Sequence, residues 1–189
     1  PETRHRQSGA CPRFSFIVPV YRPPLGHFRR CMDSLLAQSC ASREIVLSLD
    51  GPQPPDVMDH IRRLESQPRN AVKVVQSAQR AGISEASNRA AEAACGEWLV
   101  FVDHDDTVHP EMLDRMAAAA GPAAAMLYTD EDKLIGPVHH TAFTKPDPSF
   151  HNIMACNYYS HCRAFRRSVI QRIGGHDSRF DGSQDYELA

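Results

Sequence analysis

Trp98-Leu99-Val100-Phe101-Val102 runs directly into Asp103-His104-Asp105-Asp106, an apolar run that ends on a cluster of carboxylates. A short, unbroken apolar run suits a strand buried on both faces, as in a parallel sheet. Toward the N-terminus, Phe14 to Val20 is a run of the same kind, closing on Pro19 and Tyr21. Phe28, Met32, Leu35 and Leu36 then recur at helical spacing over 25–39. A strand over 44–49 stops at Asp50-Gly51-Pro52, and Val57, Met58, Ile61 and Leu64 mark a second helix. A strand over 72–75 and a helix over about 84–94, with Ala86, Ala90, Ala93 and Ala94 on its apolar face, lead back to Trp98.

Beyond the junction, Pro110 stands where a helix begins, with Met112, Leu113 and Met116 at helical spacing. A fifth strand is expected over 125–128, a loop-rich stretch with Pro137, Pro146 and Pro148 over 133–155, a strand-like segment over 157–165, and a short helix over 166–173. Strands alternating with helices argue for an α/β fold of βαβ units around a mostly parallel, Rossmann-like sheet. In such sheets the ligand lies beyond the carboxyl ends of the strands. That edge collects Tyr21, Asp50, Gly82 and the 103–106 cluster.

The 189 residues suffice for one domain. With 21 basic and 23 acidic side chains, the net charge of −2 argues against a dedicated nucleic-acid binder. No apolar run reaches the roughly 18–20 residues of a membrane helix. The chain begins at Pro1 and stops within a presumptive helix, so it reads as part of a longer protein. Residues 1–13 form a polar, basic lead-in, and 14–189 a domain cut short at its C-terminal side. The six cysteines (Cys11, Cys31, Cys40, Cys95, Cys156, Cys162) contain no C-x-x-C pair and follow no signal-peptide pattern. They read as reduced thiols of a cytoplasmic protein. His139 and His140 read as solvent-facing loop residues.

The carboxylates carry the chemistry. Asp103 and Asp105 are two apart, so in an extended segment both address one ligand. A hard cation, Mg²⁺ or Mn²⁺, would relieve their repulsion and share its other positions with phosphates and water. The plainer alternative is an acidic turn capping the helix near Pro110. Asp50 is either a turn aspartate or an acceptor for a nucleobase or ribose. Gly82-Ile83-Ser84 brings a helix start to the same edge, where it favours an anion or is simply capped by Ser84. Asp130-Glu131-Asp132-Lys133 and Gly182-Ser183-Gln184-Asp185-Tyr186-Glu187 are, in isolation, charged turns. Moving a sugar from a phosphate leaving group to a hydroxyl requires charge neutralisation and a general base; Asp103 with Asp105, and Asp185, could fill those roles.

Taken in order, Phe16-Ile17-Val18-Pro19-Val20-Tyr21, Leu49-Asp50-Gly51, Gly82-Ile83-Ser84 with Asn88, Val102-Asp103-His104-Asp105-Asp106, Tyr128-Thr129-Asp130-Glu131-Asp132-Lys133, Lys145-Pro146-Asp147 and Gly182-Ser183-Gln184-Asp185-Tyr186-Glu187-Leu188 resemble the glycosyltransferase family 2 domain, a GT-A fold. The longer set looks most like bacterial enzymes of cell-surface polysaccharide synthesis, rhamnosyltransferase-like ones among them. The resemblance implies an inverting transfer from a nucleotide-sugar, with a UDP- or dTDP-sugar the favoured donor, to a glycan or lipid-linked acceptor. It places Pro19, Tyr21, Asp50, Gly82, Asn88, Asp103 and His104 around the donor nucleotide. Asp105 with Asp103 would hold the metal, Asp130, Asp132 and Gln184 would lie near the sugar or acceptor, and Asp185 would be the base. A setting at the inner face of the membrane, through the full-length protein, is part of the same expectation. Two departures stand out: Gln184 replaces a common Glu before Asp185, and Arg80-Ala81 replaces a common Asn-Gly.

Rival readings are a haloacid dehalogenase-type phosphatase, since Asp103-His104-Asp105-Asp106-Thr107 fits D-x-D-x-T, and a sugar nucleotidyltransferase, which would want a Gly-rich loop where Tyr21-Arg22-Pro23-Pro24 stands. A third is a non-catalytic nucleotide-sugar-binding domain of a larger synthase.

Overall fold

A computed structural model describes residues 13–188. The lead-in reading of 1–13 and Cys11 therefore fall almost wholly outside the described residues. Arg13 itself is already tied in, its carbonyl accepting from the Trp98 amide.

The elements run in the order β1 (Phe14–Val20), α1 (Leu25–Leu36), β2 (Arg43–Leu49), α2 (Pro55–Glu65), β3 (Val72–Gln76), α3 (Ile83–Ala93), β4 (Trp98–Phe101), α4 (Met112–Ala119), β5 (Met126–Tyr128), β6 (Glu131–Ile135), β7 (Val138–Phe143), α5 (Phe150–Ala155), β8 (Arg163–Arg166), α6 (Arg167–Ile173) and α7 (Gln184–Glu187). Six strands form one sheet in the order β3-β2-β1-β4-β8-β5. The pairings β3–β2, β2–β1 and β1–β4 are parallel, whereas β8 runs antiparallel to both β4 and β5.

The continuous apolar runs are explained by burial on both faces. All seven residues of β1 are buried, and alternate side chains serve two cores. Phe14, Phe16, Val18 and Val20 face α1, α2 and α4, joining Phe28, Met32, Leu35, Ile61 and Leu113. Ile17 faces the other way, with Val46, Leu99, Phe165 and the α3 alanines Ala90 and Ala91. The period-two alternation of a strand thus divides one sequence run between two layers. Small residues on α3 let that helix lie close against β1 and β2.

Residues 131–143 correct the loop reading of 133–155. They form a hairpin, β6–β7, with Ile135 opposite Val138 and Gly136 at φ +61° in its two-residue turn. A primed hairpin turn requires that positive φ. The strands carry no buried face, so no hydrophobic alternation announces them. Asp130-Glu131-Asp132-Lys133 is therefore largely the first strand of the hairpin, and His139 and His140 lie on its second, exposed as expected. The strand expected over 157–165 shrinks to Arg163–Arg166. Among the described residues no helix is long and apolar enough to cross a membrane.

Candidate active site

The carboxyl ends of β1, β2 and β4 meet at one edge. Beside them lies the start of β8, which antiparallel pairing brings to the same edge. β4 ends at Phe101, and the chain then turns: the Asp106 amide donates to the Asp103 carbonyl at 3.2 Å. This turn stands in place of the extended segment in which Asp103 and Asp105 would point the same way. In a turn closed from residue i to i+3, the first and last side chains converge. Asp103 and Asp106 come together with His161, their ligand atoms all within 4.8 Å of one another. Asp105 is not in this group; it is exposed and lines a neighbouring cleft.

His161 Nδ1 stands 3.8 Å from Asp103 Oδ2 and 3.6 Å from Asp106 Oδ2. Burial raises the Asp103 and Asp106 carboxyls above their ordinary value, an effect that the imidazole of His161 offsets only in part. Asp185 and Asp105 add to the rise at Asp103 through their charge.

His161 is held through its backbone. Its amide donates to Glu131 Oε2 at 3.1 Å, and its carbonyl accepts from Lys145 Nζ at 2.6 Å. The Lys145 side chain is fully buried; it also donates to the Tyr159 carbonyl at 2.7 Å and pairs with Glu131 at 2.8 Å. Beneath the turn two thiols brace the backbone, Cys31 Sγ donating to the Asp103 carbonyl and Cys162 Sγ to that of Phe101. Burial pushes Cys162 up to about 12 and Cys31 higher still, so both remain protonated donors.

A cleft of about 1340 Å³ opens beside this group, lined among others by Asp105, Asp106, Tyr128, Asp130, Asp132 and His161. Asp130 accepts from the Lys145 amide at 2.8 Å, and Asp132 from His139 Nδ1 at 2.9 Å.

The other residues expected around the nucleotide lie along or near the same edge, and several are already engaged. Tyr21 lies beneath the Arg80 guanidinium, 4.3 Å from ring centre to Cζ. Asp50 is buried and accepts from the amides of Ala81 at 2.7 Å and Gly82 at 3.0 Å, fixing the loop before α3. His104 Nδ1 donates to the Pro19 carbonyl at 3.0 Å. The start of α3 is taken by Asp181, whose Oδ1 accepts from the Ser84 amide at 3.2 Å. Gly82, at φ +102°, leaves space that a Cβ would contest with Asp181. Asn88 is engaged by the chain itself: its side-chain amide donates to the His176 carbonyl and accepts from the His176 amide, both at 2.8 Å. Gln184 accepts from the Gly182 amide at 2.8 Å, closing the turn before α7. Asp185 is gripped by Arg163, which donates to both its carbonyl and its Oδ1.

Sequence patterns alone do not single out His161, Lys145, Glu131 and Arg163 as site residues. Glu131 and Lys145 stand within segments that carry the family resemblance but without a role assigned, whereas His161, just before β8, and Arg163, its first residue, belong to none of those segments.

The family model described as "Glycosyl transferase family 2" matches residues 15–174. Among curated relatives, y4gI of Sinorhizobium fredii, itself uncharacterised, is 35% identical over 98% of this chain and 20% of its own length. The O-antigen biosynthesis protein RfbC of Myxococcus xanthus is 31% identical over 94% of this chain and 14% of its own. The chain thus spans a fifth or less of these two relatives. Among solved structures, S. aureus TarS 1-349 in complex with UDP superposes with a TM-score of 0.75 at 19% identity, covering 93% of this chain and 53% of that one. PcManGT, a mannosyltransferase from Pyrobaculum calidifontis in complex with GDP-Man and Mn²⁺, gives 0.71 at 21%, covering 94% and 50%. These likenesses establish a GT-A fold, and with the family match they show that the chain belongs to glycosyl transferase family 2.

Proposed function

We propose that this domain transfers a sugar, with inversion, from a nucleoside-diphosphate donor to a hydroxyl of a glycan or lipid-linked acceptor in bacterial envelope polysaccharide synthesis. The convergence of Asp103, Asp106 and His161 at the end of β4 carries the reading. The two carboxylate oxygens suit Mg²⁺ or Mn²⁺, which prefer hard oxygen ligands and leave positions for phosphate oxygens, and the softer imidazole nitrogen favours Mn²⁺ of the two. A divalent ion bound there would neutralise charge on the departing diphosphate.

The remaining work falls to the chain itself. Tyr21 and Asp50, at the carboxyl ends of β1 and β2, would line the place for the nucleoside, and a uridine or thymidine donor is the favoured class. Asp185 takes the proton of the acceptor hydroxyl as its oxygen attacks the anomeric carbon; the bond from that carbon to the diphosphate oxygen breaks, and the nucleoside diphosphate leaves. Asp130, lining the cleft, faces the sugar or acceptor. RfbC, an O-antigen biosynthesis protein by name, supports the choice of product class. A second reading, donor binding without transfer, draws on the engagement of Asp185 by Arg163.

Calorimetric titration of UDP and GDP with and without Mn²⁺ tests the metal assignment. Asp106→Asn and His161→Ala are expected to weaken Mn²⁺-dependent binding by at least ~10-fold, and Asp105→Asn by less than ~3-fold. The opposite ranking would return the metal to Asp103 and Asp105.

A further inference from the structure

Arg163 opens β8, where the register sets it opposite Phe101 of β4 and Tyr128 of β5, at the edge that holds the site. It is 2% exposed, an unusual placement for a guanidinium, which leaves water only when its charge and donors are met within the protein. One residue meets them twice. Nη1 donates to the Asp185 carbonyl and Nη2 to Asp185 Oδ1, so the guanidinium fixes both the backbone and the side chain of the same aspartate. A two-point grip by a planar fork sets orientation as well as distance. It is applied to α7, which is only four residues long and has no buried residue of its own, the buried Leu188 following at its end. Among the described residues, no donor is directed at Asp185 Oδ2.

We infer that Arg163 is a positioning residue for the transfer, holding Asp185 by its carbonyl and Oδ1 so that Oδ2 is left to receive the acceptor's proton. The inference rests on the proposed role of Asp185 as base. It also turns the ion pair from an argument against that role into one for it, because the grip leaves one oxygen open. Arg163 touches no reacting atom and acts through Asp185 alone. Lys would keep the charge but lose the fork, and Met would lose both.

The test is a double-mutant cycle on Arg163→Met, Asp185→Asn and the pair, with Arg163→Lys as the conservative variant. Nucleoside-diphosphate release is monitored over UDP-, dTDP- and GDP-sugars with Mn²⁺, water serving as the hydroxyl acceptor, and each rate is divided by the fraction of protein that binds UDP or GDP. Arg163→Met is expected to bind nucleotide within ~3-fold of wild type and to lose ~10²-fold in kcat, the scale of a small misplacement of a reacting group. Arg163→Lys recovers at least ~10-fold of that loss, and in the Asp185→Asn background Arg163→Met changes kcat by less than ~3-fold. Should Arg163→Met alone prove too unstable, the pair still reports, since removing both charges leaves no unpaired buried ion. Wild-type kcat in Arg163→Met, or the same loss with and without Asp185, would overturn the positioning role. Wild-type turnover by Asp185→Asn would instead remove Asp185 as base, and a wild-type protein that turns over no donor would remove the transferase reading itself.

Discussion

His176 shows how one side chain's surroundings become a property of the whole protein. Its ring packs edge-on against Phe101 at 5.0 Å, while its backbone is clasped by Asn88. Burial, reinforced by the charge of Arg163, lowers its pKa to about 4. A depressed histidine stays neutral in the folded chain while the unfolded chain takes up a proton below about 6.5, so acidification between those values favours unfolding. The loss is on the order of 3 kcal/mol, complete near pH 4 and absent above about pH 7. In His176→Phe, thermal melts from pH 7 to pH 4 are expected to fall less steeply than in wild type; parallel curves would show that His176 does not titrate across this range. At the same scale, Asp103 and Asp105 illustrate a limit of pattern reading. Alternation holds as far as Phe101, and the turn beyond it replaces i,i+2 geometry with i,i+3. The sequence contains both aspartates and Asp106, but not the backbone path that chooses between them.

The elements divide by how much surface they bury. β1, β2 and β4 are legible in the sequence because their side chains are hidden on both faces, and α1 and α2 because one face is apolar at helical spacing. The β6–β7 hairpin buries no face and leaves only its Gly136-Pro137 turn as a signal. The residues around His161 are illegible for a related reason: Lys145 and Glu131 fix them through backbone groups, which no side-chain pattern reports. Close packing between strands can be tested at Gly96, just before β4. A Cβ there would stand 2.8 Å from the Ser15 amide nitrogen and 2.9 Å from the Phe14 carbonyl carbon, both of them backbone. Gly96→Ala should therefore push β1 and β4 apart and cost ~1–3 kcal/mol in urea denaturation. Gly26, in α1, has nothing within 4 Å of such a Cβ, and Gly26→Ala should be neutral or stabilise by up to ~1 kcal/mol. Equal effects at the two sites would contradict this packing account.

At the scale of the whole molecule, the segment after α6 runs along the edge of the sheet and is fastened at several points, among them His176 to Asn88, Asp181 to the Ser84 amide, and Asp185 to Arg163. Asn88→Ala removes the first fastening and both of its hydrogen bonds, each worth about 1 kcal/mol net. Amide exchange at His176 is expected to accelerate ~10-fold or more, while amides of β1 and β2 keep their protection. Uniform acceleration would mean that the segment and the sheet open as one unit.

The reversed direction of β8 has a further consequence. A parallel strand delivers to this edge the residues beyond its C-terminal end, whereas an antiparallel strand delivers those at its start, so His161, Cys162 and Arg163 arrive as their strand begins. The parallel strands supply Tyr21, Asp50 and the 103–106 turn from their far ends. The two sets of residues therefore belong to stretches of chain that are distant in sequence and enter the site from opposite directions. A change in the turn before β8 therefore reaches the edge directly, without altering the course of the parallel strands.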